Sequence, residues 1–204
     1  PGSEGGAEVL LLPPEELVAE RRRPYLRILE GHAPVLDAGC GRGELLDLLR
    51  AADIEASGVE PSAELAEAAG AKGHEVAVEG IVEHLEGAGA RSLGAIFSVV
   101  ALELELRDLA RFLALARDRL DAGGPLVAES LNPHSPESLK YSLAGPARSS
   151  PLLPEVALAL ARAAGFAEAF VFHPQGSGDV SVDRHSSTHY ALVARSTGGQ
   201  SPPQ

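Results

Sequence analysis

The chain has 204 residues, 45% of them apolar, and a formal net charge of −12. That size and composition support one domain with a core and exclude disorder along the whole chain. An acidic surface of this strength repels phosphate backbones, so nucleic acid is excluded as a partner, and the short run Arg21-Arg22-Arg23 does not reverse that balance.

Residues 1–12 read as a loose lead-in, with a small, polar start compatible with a tag remnant. Pro13-Pro14-Glu15-Glu16 opens a helix, because proline suits a first turn and acids suit its positive end. It runs to about Glu30, bends or restarts at Pro24 and stops at Gly31. Val35–Ala38 is a short apolar strand. Gly43 to Ala52 carries Leu45, Leu46, Leu48 and Leu49 at helical spacing. Glu55–Val59 is a second strand, and Ser62 caps a helix to about Ala69. His74–Val78 is a third strand, followed by a helix over Ile81–Glu86. Leu93–Val99 is a fourth strand. Glu105–Leu120 is a long amphipathic helix closed by Gly123-Gly124, and Pro125–Glu129 is a fifth strand. Such alternation predicts a parallel sheet with right-handed crossovers. Pro154 to Ala164 is a helix ended by Gly165. Phe166–His173 and Thr188–Ala194 are strands joined by a loop containing Gly176, Ser177, Gly178 and Asp179, which predicts an antiparallel edge hairpin. Residues 197–204 form a polar Gly/Pro tail expected to be mobile. The fold class is therefore α/β, Rossmann-like and doubly wound, with seven strands in a single domain over residues 13–196.

The one cysteine, Cys40, rules out an internal disulfide. No apolar run approaches the roughly 18 residues of a membrane helix. Nothing at the start resembles a signal peptide, which predicts a cytoplasmic protein.

The most informative segment is Val35-Leu36-Asp37-Ala38-Gly39-Cys40-Gly41-Arg42-Gly43-Glu44. A strand runs into three glycines at alternate positions and a helix follows. Such a turn brings bare main chain and helix-start amides up to a ligand at the carboxyl end of the strand. The spacing is Gly-x-Gly-x-Gly rather than Gly-x-Gly-x-x-Gly, and Asp37 precedes it. An acid there repels a pyrophosphate and attracts a cation. S-adenosylmethionine carries a sulfonium and an ammonium but no phosphate, so Asp37 favours it over NAD. Gly58-Val59-Glu60-Pro61-Ser62 adds Glu60 at the end of the second strand, where a carboxylate can accept both ribose hydroxyls.

These segments resemble class I S-adenosylmethionine-dependent methyltransferases. Val35–Leu49 is similar to their first motif and Gly58–Leu65 to their acidic second motif. Ser92–Phe97 resembles the fourth strand, and Leu120-Asp121-Ala122-Gly123-Gly124-Pro125-Leu126-Val127 resembles the turn into the fifth. Glu129-Ser130-Leu131-Asn132-Pro133 resembles the "E-T-x-N-P" strand end of a subgroup associated with polysaccharide and glycan modification, a pattern that continues in Leu152–Glu155 and Ala163–Phe166. The resemblance implies that Asp37, Gly39, Cys40 and Gly41 follow the methionine part of the cofactor. It places Glu60 and Pro61 at the ribose, Glu79, Gly80 and Ile81 at the adenine, and Ser98, Val99 and Val100 on the sulfonium side. Tyr25 matches a tyrosine that closes over the cofactor. Cys40 matches a packing position of the motif, not a nucleophile.

The sequence also departs from the subgroup. Its "H-V-V-E-H-L" segment stands here as Val100-Ala101-Leu102-Glu103-Leu104-Glu105, so both histidines are absent and Glu103 remains. A "D-P-T-H" segment stands as Gly145-Pro146-Ala147-Arg148. The remaining candidates on the acceptor side are Glu103, Tyr141 and, first among them, His134 as general base. His185 and His189 lie four apart, but on a strand that spacing makes no helical pair and no metal is expected. The resemblance implies methyl transfer to an oxygen or nitrogen of a small molecule or glycan. The alternative, motivated by the absent histidines, is a catalytically degenerate methyltransferase-like scaffold with a protein partner.

Overall fold

A computed structural model describes residues 13–144 and 151–196, with only the backbone given for 141–144 and Val180. The lead-in over 1–12, the segment 145–150 and the tail over 197–204 lie outside the described residues, as does the side chain of Tyr141.

Helix α1 (Glu15–Arg22) leads into a 3₁₀ turn (Arg23–Tyr25) and then α2 (Leu26–Leu29). Pro24 sits in the first positions of the 3₁₀ turn, so the entry helix restarts there. Strand β1 (Val35–Ala38), α3 (Glu44–Ala51), β2 (Ala56–Val59), α4 (Ala63–Ala71), β3 (Val76–Ala77), α5 (Ile81–Gly87) and β4 (Ala95–Ser98) follow. After a 3₁₀ turn (Ala101–Glu103) come α6 (Leu106–Arg119), β5 (Pro125–Leu131), α7 (Pro136–Ala144), α8 (Pro154–Ala163), β6 (Glu168–Phe172), α9 (Val180–Ser186) and β7 (His189–Arg195).

The seven strands form one sheet in the order β3-β2-β1-β4-β5-β7-β6. The first five pair in parallel, while β7 pairs antiparallel with both β5 and β6. The expected seven-stranded, mostly parallel α/β sheet with an antiparallel edge is the architecture found. The link between β6 and β7 is not a simple loop, however, because it contains α9. Asp179 opens that helix by accepting the Ser181 amide at 2.9 Å. Ser62 sits at the start of α4 but makes no side-chain capping bond; its own amide is held instead by Glu60.

Successive side chains of a buried strand face opposite sides of the sheet, and two cores result. Leu36, Ala38, Ile96, Leu126, Ala128, Leu192 and Ala194 pack with residues of α5, α6 and α8. Val35, Phe97, Val127 and Val193 pack on the other face with Tyr25, Leu29, Leu45 and Leu49. The entry segment thus covers one face of the sheet, so its charged residues arrive above the strand ends.

Candidate functional site

The site begins where β1 stops. Gly39, Gly41 and Gly43 all take positive φ (+90°, +57° and +83°), a region open to glycine at little steric cost. The Gly39 and Cys40 amides both donate to the Val59 carbonyl, at 2.8 and 3.1 Å, which fixes the turn against the end of β2. A Cβ at Gly39 would fall 2.6 Å from Cγ2 of Val100, the residue just past β4. The bare backbone therefore lets two strand ends approach.

Glu60 completes this turn. Its Oε2 accepts the Gly41 amide and its Oε1 accepts the Ser62 amide, each at 2.9 Å. Each carboxylate oxygen keeps a further lone pair for a ligand hydroxyl. Above the turn lies a cavity of about 340 Å³, a volume ordinary for small-molecule sites. Gly39, Gly41 and Glu60 form one side and Val99, Val100 and Glu103 a second. Glu129, Ser130 and Leu131 stand at the end of β5, and Arg21 and Arg22 come from α1.

Its electrostatics are unusual. Asp37 is 0% exposed, and neither of its carboxylate oxygens has a hydrogen-bond partner. Asp37 is not itself part of the cavity wall; it lies in β1, just ahead of the turn. Burial, with Glu44 and Glu60 adding to it and Arg22 opposing, pushes its carboxyl up to about 7. Glu44, Glu60 and Glu129 are buried as well. Arg42 pairs with Glu44 at 2.7 Å. Arg22 is buried too, 3.9 Å from Glu44, yet its Nη1 makes no hydrogen bond. The Ser130 hydroxyl, also on the cavity wall, has no partner either. Buried polar groups are ordinarily satisfied, so the Asp37 carboxylate, Arg22 Nη1 and the Ser130 hydroxyl, all without a hydrogen bond, stand out in this region.

Other candidates fall in different places. Ser98 is fully buried; its hydroxyl donates to the Ala38 carbonyl at 2.7 Å and accepts the Ala101 amide at 3.0 Å, bracing β4 against β1. Cys40 packs against Gly58, and burial raises its thiol well above the ordinary range. Pro61 is exposed beside Glu60. Gly80 and Ile81 form the start of α5, and Glu79 Oε1 accepts from His84 Nδ1 at 2.7 Å; all three lie outside the cavity wall. Tyr25 is not placed as a lid. It is 0% exposed, its ring packs on Phe97 and Phe172, and its hydroxyl donates to Glu129 at 2.5 Å. His134 is not at the cavity: its Nε2 lies 3.0 Å from Glu155, on the far side of Asn132. Its ring stands 6.0 Å from that of His185. Glu103 does reach the rim, more than a third exposed, where partial burial lifts its carboxyl above the usual range. Among the described residues no group of His, Cys, Asp and Glu is arranged to hold a metal.

A methyltransferase domain model matches residues 14–167, three quarters of the chain. The chain belongs to that family. This methyltransferase domain is similar in fold to an S-adenosylmethionine-dependent methyltransferase from Archaeoglobus fulgidus, with a TM-score of 0.79 at 24% identity over 89% of this chain and 94% of that one. It is also similar to a Thermotoga maritima protein given as a possible histamine N-methyltransferase, with a TM-score of 0.68 at 20% identity over 89% and 90% of the two chains. A third likeness is to a chain in the complex of the Haloferax volcanii Trm112 methyltransferase activator with a methyltransferase, with a TM-score of 0.66 at 15% identity over 92% and 94%. No curated protein matches the sequence. Among the described residues no helix of the domain is long and apolar enough to cross a membrane.

Residues on the cavity wall that the sequence reading did not assign to the cofactor site include Arg21, Arg22, Ser130 and His189. Arg21 and Arg22 were read only as part of a short basic run. Ser130 stands where the subgroup's threonine does, which was a signal. His189 comes into the wall from β7; the sequence weighed it only as a metal ligand.

Proposed function

We propose that this methyltransferase domain binds S-adenosylmethionine in the cavity over the glycine turn and transfers its methyl group to an oxygen or nitrogen of a small molecule or glycan. One observation carries the reading: a fully buried carboxylate at Asp37, without a hydrogen bond, beneath a turn whose backbone is tied to Glu60. A buried, unpaired carboxylate is costly, and a cation brought above it relieves that cost. NAD would bring two phosphates to the same place.

Residues in and beneath the cavity wall suit the ribose and methionine parts of the cofactor, whereas Glu79, Gly80 and Ile81, expected at the adenine, stand outside that wall. Glu60 accepts from ribose hydroxyls. Asp37 attracts the ammonium and sulfonium charge from below. Arg22 Nη1 and the Ser130 hydroxyl, both unspent, suit the carboxylate of the methionine end. Val99 and Val100 form an apolar wall that keeps water from the reacting carbon. The bound cofactor supplies a sulfonium, an intrinsically good leaving group. The protein's share is to align a nucleophile behind the methyl carbon and to receive its proton.

The "E-T-x-N-P"-like strand end, Glu129–Pro133, supports a hydroxylated acceptor. Calorimetry tests the reading: S-adenosylmethionine and S-adenosylhomocysteine bind at micromolar concentration, NAD does not, and Asp37→Ala or Glu60→Ala weakens binding severely. Wild-type protein giving neither heat nor a thermal shift with either compound overturns it.

A further inference from the structure

A second chamber, of about 600 Å³, adjoins the first and shares with it Pro13, Arg21, Leu131 and His189. It is bounded by α1, the end of β5, the start of α7 and the start of β7. Its remaining wall includes Leu17, Glu20, Glu137, Gln175 and Thr188. Gln175 donates to the Arg21 carbonyl at 3.3 Å and so closes the loop after β6 onto α1.

His189 stands in the partition between the chambers. Arg21 Nη1 lies 3.1 Å from its Nε2. A guanidinium only donates, so Nε2 must be the acceptor and the ring proton resides on Nδ1. Nδ1 in turn lies 3.0 Å from the Thr188 hydroxyl, which accepts it. The imidazole is thus held neutral, with its lone pair pointing at the partition. Burial, aided by Arg21, lowers its proton affinity to a pKa of about 4.

Resting on the function proposed above, we infer that the second chamber is the acceptor site, that it takes a neutral hydroxyl compound, and that His189 is the catalytic base, with Arg21 occupying its lone pair until the acceptor arrives. The acceptor's O–H replaces Arg21 as donor to Nε2. An oxygen lone pair then forms the O–CH₃ bond, the S–CH₃ bond breaks, and its electron pair returns to sulfur as a neutral thioether. The hydroxyl proton passes to Nε2 and from there to water in the open chamber. Two observations select a hydroxyl without a phosphate or carboxylate. A weakly basic imidazole cannot strip an ammonium, whereas an alcohol becomes strongly acidic only as its bond to carbon forms. The chamber's carboxylates, Glu20 and Glu137, face a single described lining cation, Arg21, which His189 already engages; anionic acceptors are repelled.

The test is imidazole-detected ¹⁵N NMR on the protein saturated with S-adenosylhomocysteine, titrated with glycerol, glucose, catechol and glucose 6-phosphate, followed by His189→Gln in a radiolabelled methyl-transfer assay on whichever neutral compound binds. The expected result is an unprotonated Nε2 at His189 that moves with at least one neutral hydroxyl compound and not with the phosphate. His189→Gln then lowers transfer by about 10²-fold or more while the variant still binds S-adenosylhomocysteine. Absence of S-adenosylhomocysteine binding overturns the function and this inference together. Binding with a protonated Nε2, with no response to any neutral compound, with a response to the phosphate, or with full transfer by His189→Gln overturns the inference alone.

Discussion

Glu60 and Gly41 are joined across 19 residues of sequence: the carboxylate that ends β2 holds the amide in the middle of the turn that ends β1, at 2.9 Å. The same side chain holds Ser62, so one acid shapes both the glycine turn and the start of α4. Glu60→Gln keeps the shape but offers one acceptor oxygen where two are needed. Urea unfolding should show a loss of about 1.5–3 kcal/mol, the scale of one hydrogen bond to a charged group. S-adenosylhomocysteine affinity should fall by at least 10-fold in calorimetry.

Asp37 makes the opposite exchange. Its carboxyl is displaced from 3.8 to about 7 because the ionised form is buried without a partner. A raised folded-state value means that stability is highest when the group is protonated and declines as pH rises from about 4 to about 7, then stays level. The ceiling on that decline is about 4 kcal/mol. Asp37→Asn should therefore resist urea better than wild type at pH 8, with the advantage shrinking toward pH 5, while its S-adenosylmethionine binding is lost. Urea melts at several pH values with parallel calorimetry check both halves.

Arg22 tests the methionine end of the cavity. If its Nη1 meets a carboxylate, Arg22→Met should weaken S-adenosylhomocysteine by about 10- to 100-fold, the value of one charge-assisted bond. Methylthioadenosine, which lacks the amino-acid moiety, should bind wild type and variant within about threefold. Equal losses for both compounds would assign Arg22 to the architecture of the cavity instead.

Tyr25 ties the entry segment to β5. Its hydroxyl is the donor that Glu129 has in a site where burial already holds the Glu129 carboxyl above the usual range. Tyr25→Phe should destabilise by about 1.5–3 kcal/mol at pH 8. The loss should be smaller at pH 5.5, because a raised folded-state value makes Glu129 most costly as pH climbs through it. Combining Tyr25→Phe with Glu129→Gln should recover part of the deficit in urea melts.

The parts of the fold legible in the sequence were those set by short-range pattern. Val35–Ala38 followed by three spaced glycines, and Glu60 at the next strand end, are separated by one helix, so spacing alone brings them together. Apolar spacing likewise announced α3, α6 and α8. Helix α9 was read as loop because Val180–Ser186 carries almost no apolar repeat and Val182 is 52% exposed; its start is set by Asp179, and Asp183 gathers the amides of Ser177 and Gly178. Helix α7 was passed over for a similar lack of apolar pattern. The cavity's far side was illegible for a different reason. Arg21 meets His189 across 168 residues and Tyr25 meets Glu129 across 104, and only the complete sheet order makes those meetings. His134 was chosen for its nearness to Asn132-Pro133, but Asn132 turns the chain away: its carbonyl oxygen holds the His134 amide while its amide group reaches Arg184 and Ser187.

Strand β7 has a run, Tyr190–Ala194, that is wholly buried, and it lies between two strands that precede it in the chain. A ribosome making this protein must therefore release β5 and β6 with a gap between them. Until the polypeptide reaches Arg195, the backbone amides and carbonyls along one flank of Leu126–Ala128 have no mate. During that interval the nascent sheet offers an adhesive border to any neighbouring extended chain, and β7 is the strand that seals it.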